Sequence, residues 1–484
     1  MTKRPILLWL RQDLRLADNR ALAAALEAGG PVIPIFVLDD AAAGEWAIGA
    51  ASRWWLHGSL SALGREIEKR GARLLLRRGT TAAVLTEIAA ETGAAAVHCT
   101  RAYEPWASRL ELDVRASLST RGVELKRFGG NLLAEPEDIR TKAGEPFKVY
   151  TPFWGELSGK LKLAPPLASP NRIPFPDRAP AGDELASWNL LPAKPDWAGG
   201  LRETWEPGEQ GALKRFDAFI DGFRGYAEKR NRPDVPATSR LSPHLHWGEI
   251  SAATLWRRAS AAVAAGAASD NDLEVFLKEI VWREFAYHLL VHWPDLPAKP
   301  FRPEFAAFPW AADKAGLTAW QRGRTGYPIV DAGMRELWHT GWMHNRVRMI
   351  VASFLIKDLR ISWRDGGAWF WDTLVDADLA NNSASWQWVA GSGADAAPYF
   401  RIFNPVTQGQ KFDPAGAFVR RWVPEIAKLP EKFIHCPWQA DFATLKAAGI
   451  RLDETYPRPI VDHAAARISA LAAFEGVKSG RPKP

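Results

Sequence analysis

The sequence predicts an N-terminal α/β domain built on a doubly wound parallel sheet, then a connector, then a large all-helical C-terminal domain. Three observations carry this. Five short apolar runs alternate with helical patterns over residues 5–130, as parallel strands joined by crossover helices do. Pro165, Pro166, Pro170, Pro174, Pro176 and Pro180 then crowd one stretch and rule out long helices there. From about residue 205 helical spacing of apolar residues dominates. The expected division is 1–130, a connector over 131–200, and 201–484.

Pro5–Leu10 (PILLWL) and Val32–Leu38 (VIPIFVL) read as buried strands. Arg73–Leu76, Ala94–His98 and Val123–Phe128 read as shorter ones. Helices fit Asn19–Ala28, Ser52–Arg70, Thr80–Glu91 and Ala107–Ser119, with Asp18 and Ser52 placed to cap the first two. Ligands of such sheets bind at the carboxyl ends of the strands. No GxGxxG follows the first strand, so the usual dinucleotide fingerprint is missing. Arg11–Arg15 (RQDLR) stands there instead and reads as a solvated loop with internal ion pairs. Farther on, Gly211–Lys229, Ala252–Ala264, Asp272–His288, Thr318–Arg322, Tyr327–Thr340, Asn345–Asp358, Trp363–Leu374 and His463–Phe474 fit helices. The last six residues, SGRPKP, form a short basic tail.

The 484 residues carry 62 Lys+Arg against 55 Asp+Glu, a net charge of +7. That mild excess suits a polyanion without requiring one. Cys99 and Cys436 are the two cysteines, which excludes a disulfide framework and a cysteine-held iron–sulfur cluster. The N-terminus MTKRPILLWLRQDLR returns to charge after five apolar residues, which argues against a signal peptide. No apolar run is long enough for a bilayer. A cytoplasmic protein without a membrane partner is expected, with a monomer as the default. There are 24 tryptophans, most of them after residue 150. Phe, Leu or Ile would fill a core, so the excess asks for another use, such as stacking or electron relay. HExxH, Walker A and nucleophile-elbow motifs are all missing, and no metal site is expected.

Asp376–Asn404 (DADLANNSASWQWVAGSGADAAPYFRIFN) concentrates polar and aromatic groups. Buried Asp and Asn need partners, and Trp needs an acceptor for its N–H. A flat aromatic ligand edged with hydrogen-bonding atoms meets both demands; a polar loop beside a Trp-rich core is the alternative. Thr238–Ser242 (TSRLS) sets three hydroxyls and Arg240 within five residues, with Tyr226 twelve residues earlier. These are donors for phosphate, or else an N-cap region for a helix at Glu249–Arg258. Glu279 and Arg283 share one helix face with Trp282 beside them. They form either a single salt bridge on an amphipathic helix or a stacking platform with a base-contacting carboxylate. Gly341–Met349 (GWMHNRVRM) brings Asn345, Arg346, Arg348 and Met349 to one helix start, with Arg348 placed to pair with Asp376. The tryptophans and the polar, flavin-sized lining point to redox chemistry through a cofactor.

Together these residues resemble the photolyase/cryptochrome family. The resemblance covers almost the whole chain. It rests on the order and spacing of TSRLSPHLHWGEIS, WREF, GYPIVDAGMRELWHTGWMHNR, DADLANNSASWQW and DAAPYFRIFNPVTQGQKFD. It implies an antenna-binding α/β domain, a helical domain holding folded-over FAD, and UV-damaged DNA as the partner. Residues matching the family's FAD phosphate and ribose contacts are Tyr226, Thr238, Ser239, Leu241 and Ser242, and Arg240 and Arg283 join the cofactor set. Asp376 and Asp378 match the adenine-side and flavin-side contacts, with Arg348 paired to Asp376. Asn382 matches the residue facing the reactive flavin nitrogen. The electron relay is matched by Trp386, Trp363 and Trp310. The pocket for a flipped pyrimidine dimer is matched by Glu279, Trp282, Asn345, Met349 and Trp388, and DNA-backbone contacts by Arg230, Arg346 and Gln408.

The implied reaction is light-driven. Excited FADH⁻ passes an electron to a cyclobutane pyrimidine dimer, the ring splits, and the electron returns. Asn345 and Met349 resemble the enzymes acting on cyclobutane dimers, where the (6-4) enzymes carry histidines. Asn382 is the photolyase-like choice; plant cryptochromes carry Asp there. The alternative is a cryptochrome-type photoreceptor, against which the short C-terminal tail also argues. The antenna segment Tyr103-Glu104-Pro105-Trp106-Ala107 lacks the Asn-Glu pair of the best-known methenyltetrahydrofolate sites. Trp46 and Trp106, with Glu45 beside Trp46, suit 5,10-methenyltetrahydrofolate stacked as in bacterial class III relatives. An 8-hydroxy-deazaflavin, or no antenna, is the other possibility.

Overall fold

The computed structural model describes residues 3–396 and 400–479. Five strands, β1 Ile6–Leu10, β2 Val32–Leu38, β3 Leu75–Arg78, β4 Ala96–Thr100 and β5 Glu124–Phe128, form one sheet in the order β3-β2-β1-β4-β5. All pairings are parallel, with Ile6 opposite both Val32 and Ala96. Every residue of β1 and β2 is buried. A central parallel strand is covered on both faces, which is why these two read as unbroken apolar runs. The edge strand β5 buries Leu125 and exposes Glu124, Lys126 and Arg127, and those charges discourage edge-to-edge pairing. Helices α1 Arg20–Glu27, α2 Ala50–Glu68, α3 Thr81–Thr92 and α4 Pro105–Ser119 make the crossovers. Leu7, Trp9, Ile33, Ile35, Leu85, Val97, Val114 and Leu118 fill one core cluster.

Several expectations need correcting. Asn19, not Asp18, caps α1 and accepts from Leu22 N. Asp18 instead takes the Ser251 hydroxyl at 2.5 Å. Gly49 precedes α2, and Ser52 lies inside that helix. RQDLR is not a solvated loop: Asp13 and Arg15 are buried. Strand order reverses between β1 and β4, and Arg11 fills that end of the sheet. Its Nη2 donates to Thr100 O at 2.5 Å and to Glu111 Oε1 at 2.6 Å, while Thr100 donates to Asp13 at 2.6 Å. Arg15 donates to Gly130 O and Gly248 O at 3.0 and 2.8 Å. Gly248 (φ +66°) is required there, since a Cβ would come within 1.9 Å of Gln12 O.

The connector contains a helix after all, α5 Tyr150–Lys160. Its one proline, Pro152, falls in the first turn, where no intrahelical N–H is needed. The span Gly211–Lys229 splits into Glu209–Asp221 and Tyr226–Lys229, the chain turning over Gly222–Gly225. The helix expected at Glu249–Arg258 begins at Ala252, capped by Ser251. Asn345–Ser353 continues as a π-helical turn over Phe354–Asp358.

The chain forms two compact units. One comprises Met1–Arg224, Ser239–Pro294 and Val375–Ala380; the other Gly225–Thr238, Asp295–Leu374 and Asn381–Pro484. The first contains the sheet and the long helix Asp270–His292; the second is mostly helical. Among the described residues no helix is long and apolar enough to cross a membrane. Most of the basic tail, from Gly480 on, and Ala397–Tyr399 of the DAAPYF motif lie outside the described residues.

Candidate functional site

In the first unit the chemistry gathers on the helix Asp270–His292. A capping box between Ser269 and Asp272 fixes its start, and the helix then sets Trp282, Arg283 and Tyr287 within about one and a half turns. The Tyr287 hydroxyl donates to Asp378 Oδ2 at 2.5 Å, and His246 Nδ1 lies 3.5 Å from the same oxygen. Burial alone would raise the Asp378 carboxyl. Contact with His246, the charge of Arg283 and the Tyr287 hydrogen bond outweigh it and hold the group well below the usual carboxylate range. Arg283 itself lies over the Tyr287 ring, 5.0 Å from its centroid. Its Nη1 donates to Asn131 O at 2.9 Å and sits 3.4 Å from Glu284. Burial pushes Glu284 up to about 7. Asp376, two residues before Asp378, is also buried.

Trp282 lies flat on Tyr150, with centroids 3.7 Å apart and planes 4° from parallel. The Tyr150 hydroxyl is anchored on Lys278 O at 2.7 Å. One face of Trp282 is therefore taken, and the side chain remains half-buried beside half-buried Glu279. Ser239, Arg240 and Leu241 lead into the short helix Ser242–His246, with Arg240 at φ +51°. Burial, reinforced by the charge of Arg240, pushes Arg215 down to about 10. Arg215 and Arg240 thus place like charges near one another. Glu45 and Trp46 lie on the turn Gly44–Trp46 after β2, and Trp106 lies in the first turn of α4 after β4. All three therefore sit beyond carboxyl ends of strands, with Glu45 exposed and both tryptophans half-buried.

In the second unit Asn382, Trp386 and Trp388 lie on the part of the helix Leu379–Ala390 that follows Ala380. Asn382 Nδ2 donates to Gly367 O at 3.1 Å. Trp386 packs on the same pair of glycines, since a Cβ at Gly366 would lie 2.2 Å from its ring. The Trp386 ring meets Phe370 and Trp320, with centroids 5.0 and 6.3 Å away. Trp363 is buried at the start of its helix, and half-buried Trp310 touches Phe308 at 4.4 Å. Trp388 Nε1 donates to Asp395 O at 3.0 Å.

His344 caps the helix Asn345–Ser353 by accepting from Arg346 N. Asn345 is exposed, and Arg346, Arg348 and Met349 are half-buried. Arg346 donates to Asn231 Oδ1 at 2.8 Å and lies over Phe412 at 4.4 Å. Arg348 Nε donates to Met343 O at 2.8 Å. Tyr226 is buried with the Arg230 guanidinium 6.0 Å from its ring centroid, and Thr238 is half-buried. Gln408 lies half-buried on the Asn404-capped helix Pro405–Phe412.

Sequence reasoning missed Tyr287, His246, Tyr150 and Asn231. The paired histidines of PHLHWGE were the one available signal, pointing to His246. The residues present fit a flavin nucleotide. The first unit offers a buried carboxylate held ionised and hydroxyls flanking Arg240; the second, taken by itself, offers an Asn amide with one N–H engaged and an oxygen able to accept.

Comparison with known proteins agrees. A family model described as DNA photolyase matches residues 6–171, and one described as the FAD binding domain of DNA photolyase matches residues 276–476. The chain is 52% identical over 475 residues to a deoxyribodipyrimidine photo-lyase of Agrobacterium fabrum, covering 98% of each. It is 38% identical to cryptochrome-1 of Arabidopsis thaliana, covering 96% of this chain and 69% of that protein. A solved bacterial class III photolyase from Agrobacterium tumefaciens superimposes with a TM-score of 0.96 at 51% identity, covering 99% of this chain and 98% of the other.

Proposed function

The chain belongs to the photolyase/cryptochrome family, and from that premise we propose that it repairs cyclobutane pyrimidine dimers in DNA with light. It is an enzyme of the carbon–carbon lyase class. FAD, bound in its reduced form, supplies the light-excited electron donor.

The protein's own residues bind and orient. Tyr226, Thr238, Ser239, Arg240, Leu241 and Ser242 hold the phosphates and ribose, and Asp376 with Arg348, Asp378 and Arg283 complete the cofactor set. The observation that carries the reading is Asn382. One N–H of its amide donates to Gly367 O at 3.1 Å and orients the group; Oδ1 can then accept a hydrogen bond from an N–H, which reduced flavin presents. An amide there has no proton to lose at neutral pH, whereas an Asp would. Glu279, Trp282, Asn345, Met349 and Trp388 receive the extruded dimer. Extrusion costs a few kcal/mol, least at a damaged, weakly stacked step. Tyr150 holds Trp282 in place beforehand, so little side-chain freedom is lost when a base stacks on it. Arg230, Arg346 and Gln408 contact the phosphate backbone. Trp386, Trp363 and Trp310 relay electrons inward when oxidised cofactor must be reduced. Trp46 and Trp106, with Glu45, hold 5,10-methenyltetrahydrofolate as the antenna.

The test is binding of reduced protein to a fluorescent oligothymidine with and without one cyclobutane dimer, in the dark and then in blue light. The dimer strand is expected to bind at least about tenfold more tightly, as a stacked base is worth about 1–3 kcal/mol. Light is expected to abolish the preference by restoring the thymines. Equal affinity in the dark, or a preference that survives illumination, would overturn the reading.

A further inference from the structure

We propose that Tyr287 and His246 are positioning residues that fix the Asp378 carboxylate as a partly neutralised anion beside the flavin and so tune the flavin's reduction potential. The inference rests on the assignment of Asp378 to the flavin side of the cofactor.

The three groups are buried together: Asp378 is 5% exposed, Tyr287 3% and His246 6%. The phenol donates at 2.5 Å and the imidazole nitrogen lies at 3.5 Å, both on Oδ2. Neither ring is free to swing away. Tyr287 lies edge-on to Tyr103 with centroids 5.8 Å apart and carries Arg283 over its face at 5.0 Å. His246 lies edge-on to Trp247 at 5.0 Å. Arg283 is tied to Asn131 O, so it supplies field to Asp378 from a fixed place.

A carboxylate buried to this degree would otherwise take up a proton. Held ionised, it opposes the negative charge that reduction adds to a neighbouring flavin. Each donor drains part of that field. Losing one donor leaves the other and Arg283 in place, so the carboxylate stays ionised at neutral pH but acts more strongly. Losing the carboxylate itself removes the opposition. The two kinds of substitution therefore shift the potential in opposite directions, which loosened packing would not do.

The experiment is spectroelectrochemical titration of the bound FAD at pH 7 in wild type, Tyr287→Phe, His246→Leu and Asp378→Asn. Tyr287→Phe and His246→Leu are expected to move the midpoint to more negative potential, and Asp378→Asn to more positive. If Asp378→Asn leaves the midpoint unchanged, the flavin-side assignment fails and the proposal with it. If Asp378→Asn moves it while Tyr287→Phe and His246→Leu leave it unchanged, or move it the same way, the positioning role alone is overturned. Should Asp378→Asn fail to retain FAD, the two donor variants decide the matter by the presence or absence of a negative shift.

Discussion

Asp378 in the first unit and Asp331 in the second are both buried carboxylates with a tyrosine hydroxyl on one oxygen. Tyr287 donates to Asp378 at 2.5 Å and Tyr456 to Asp331 at 2.6 Å. Asp331 has the richer shell, taking Thr325 Oγ1 at 2.6 Å, Thr325 N at 2.7 Å and Gly326 N at 3.1 Å as well. Yet burial pushes the Asp331 carboxyl up, while Asp378 is held down. The difference lies in the neighbours: Asp378 has the charge of Arg283 nearby and the His246 ring in contact. The arginine near Asp331 is Arg335, which is engaged by Glu425 at 2.7 Å. Neutral donors fix where a buried carboxylate sits; available positive charge decides whether it stays ionised. Asp331 ties a turn and the Tyr456 segment to the helix Pro328–Thr340, whereas Asp378 presents charge.

The largest expected effect is on stability. Asp331→Ala strands several buried donors and should cost on the order of 4 kcal/mol in denaturant unfolding, with the slope unchanged. A loss under about 1 kcal/mol would erase the contrast.

The pH dependence should separate the two sites next. The raised Asp331 group contributes stability that is fully present below about pH 4, the unfolded value, and is lost as pH rises through its folded value. The depressed Asp378 group contributes stability present above about pH 4 and lost as pH falls toward its folded value. The stability gap between wild type and Asp331→Asn should therefore narrow as pH rises, and the gap for Asp378→Asn should narrow as pH falls. Matching slopes, in thermal melts across pH 3–8, would refute the distinction.

Tyr456→Phe should cost about 1–2 kcal/mol without moving the midpoint potential of bound FAD. A shift comparable to that of Tyr287→Phe would show that the phenols are not specialised. The smallest effect on repair is expected for Trp386→Phe. It should slow photoreduction of oxidised FAD yet spare repair by prereduced enzyme, and equal loss of both would count against the relay.

The sheet was legible because a parallel strand buried on both faces writes an unbroken apolar run, as β1 and β2 do. The helical remainder was legible from its spacing. What failed was local choice between neighbours, Asp18 against Asn19 as a cap, and the break between Asp221 and Tyr226. RQDLR looked solvated because its partners are remote in sequence: Arg15 meets Gly248, and Arg11 meets Glu111. The same distance hid the support of the site. Tyr287 and Asp378 are 91 residues apart, and Tyr150 stacks on Trp282 from a stretch that proline content had marked as irregular. Residues expected to touch ligand stood out as motifs; the residues that hold them in place did not.

The most direct test of the central claim is repair itself. Prereduced protein is mixed anaerobically with an oligothymidine carrying cyclobutane dimers and illuminated with blue light, and recovery of thymine absorbance is followed against a dark control. Recovery over many turnovers in light, and none in the dark, is the expected result. No recovery with FAD bound and fully reduced would contradict the account and leave a light-sensing protein without repair.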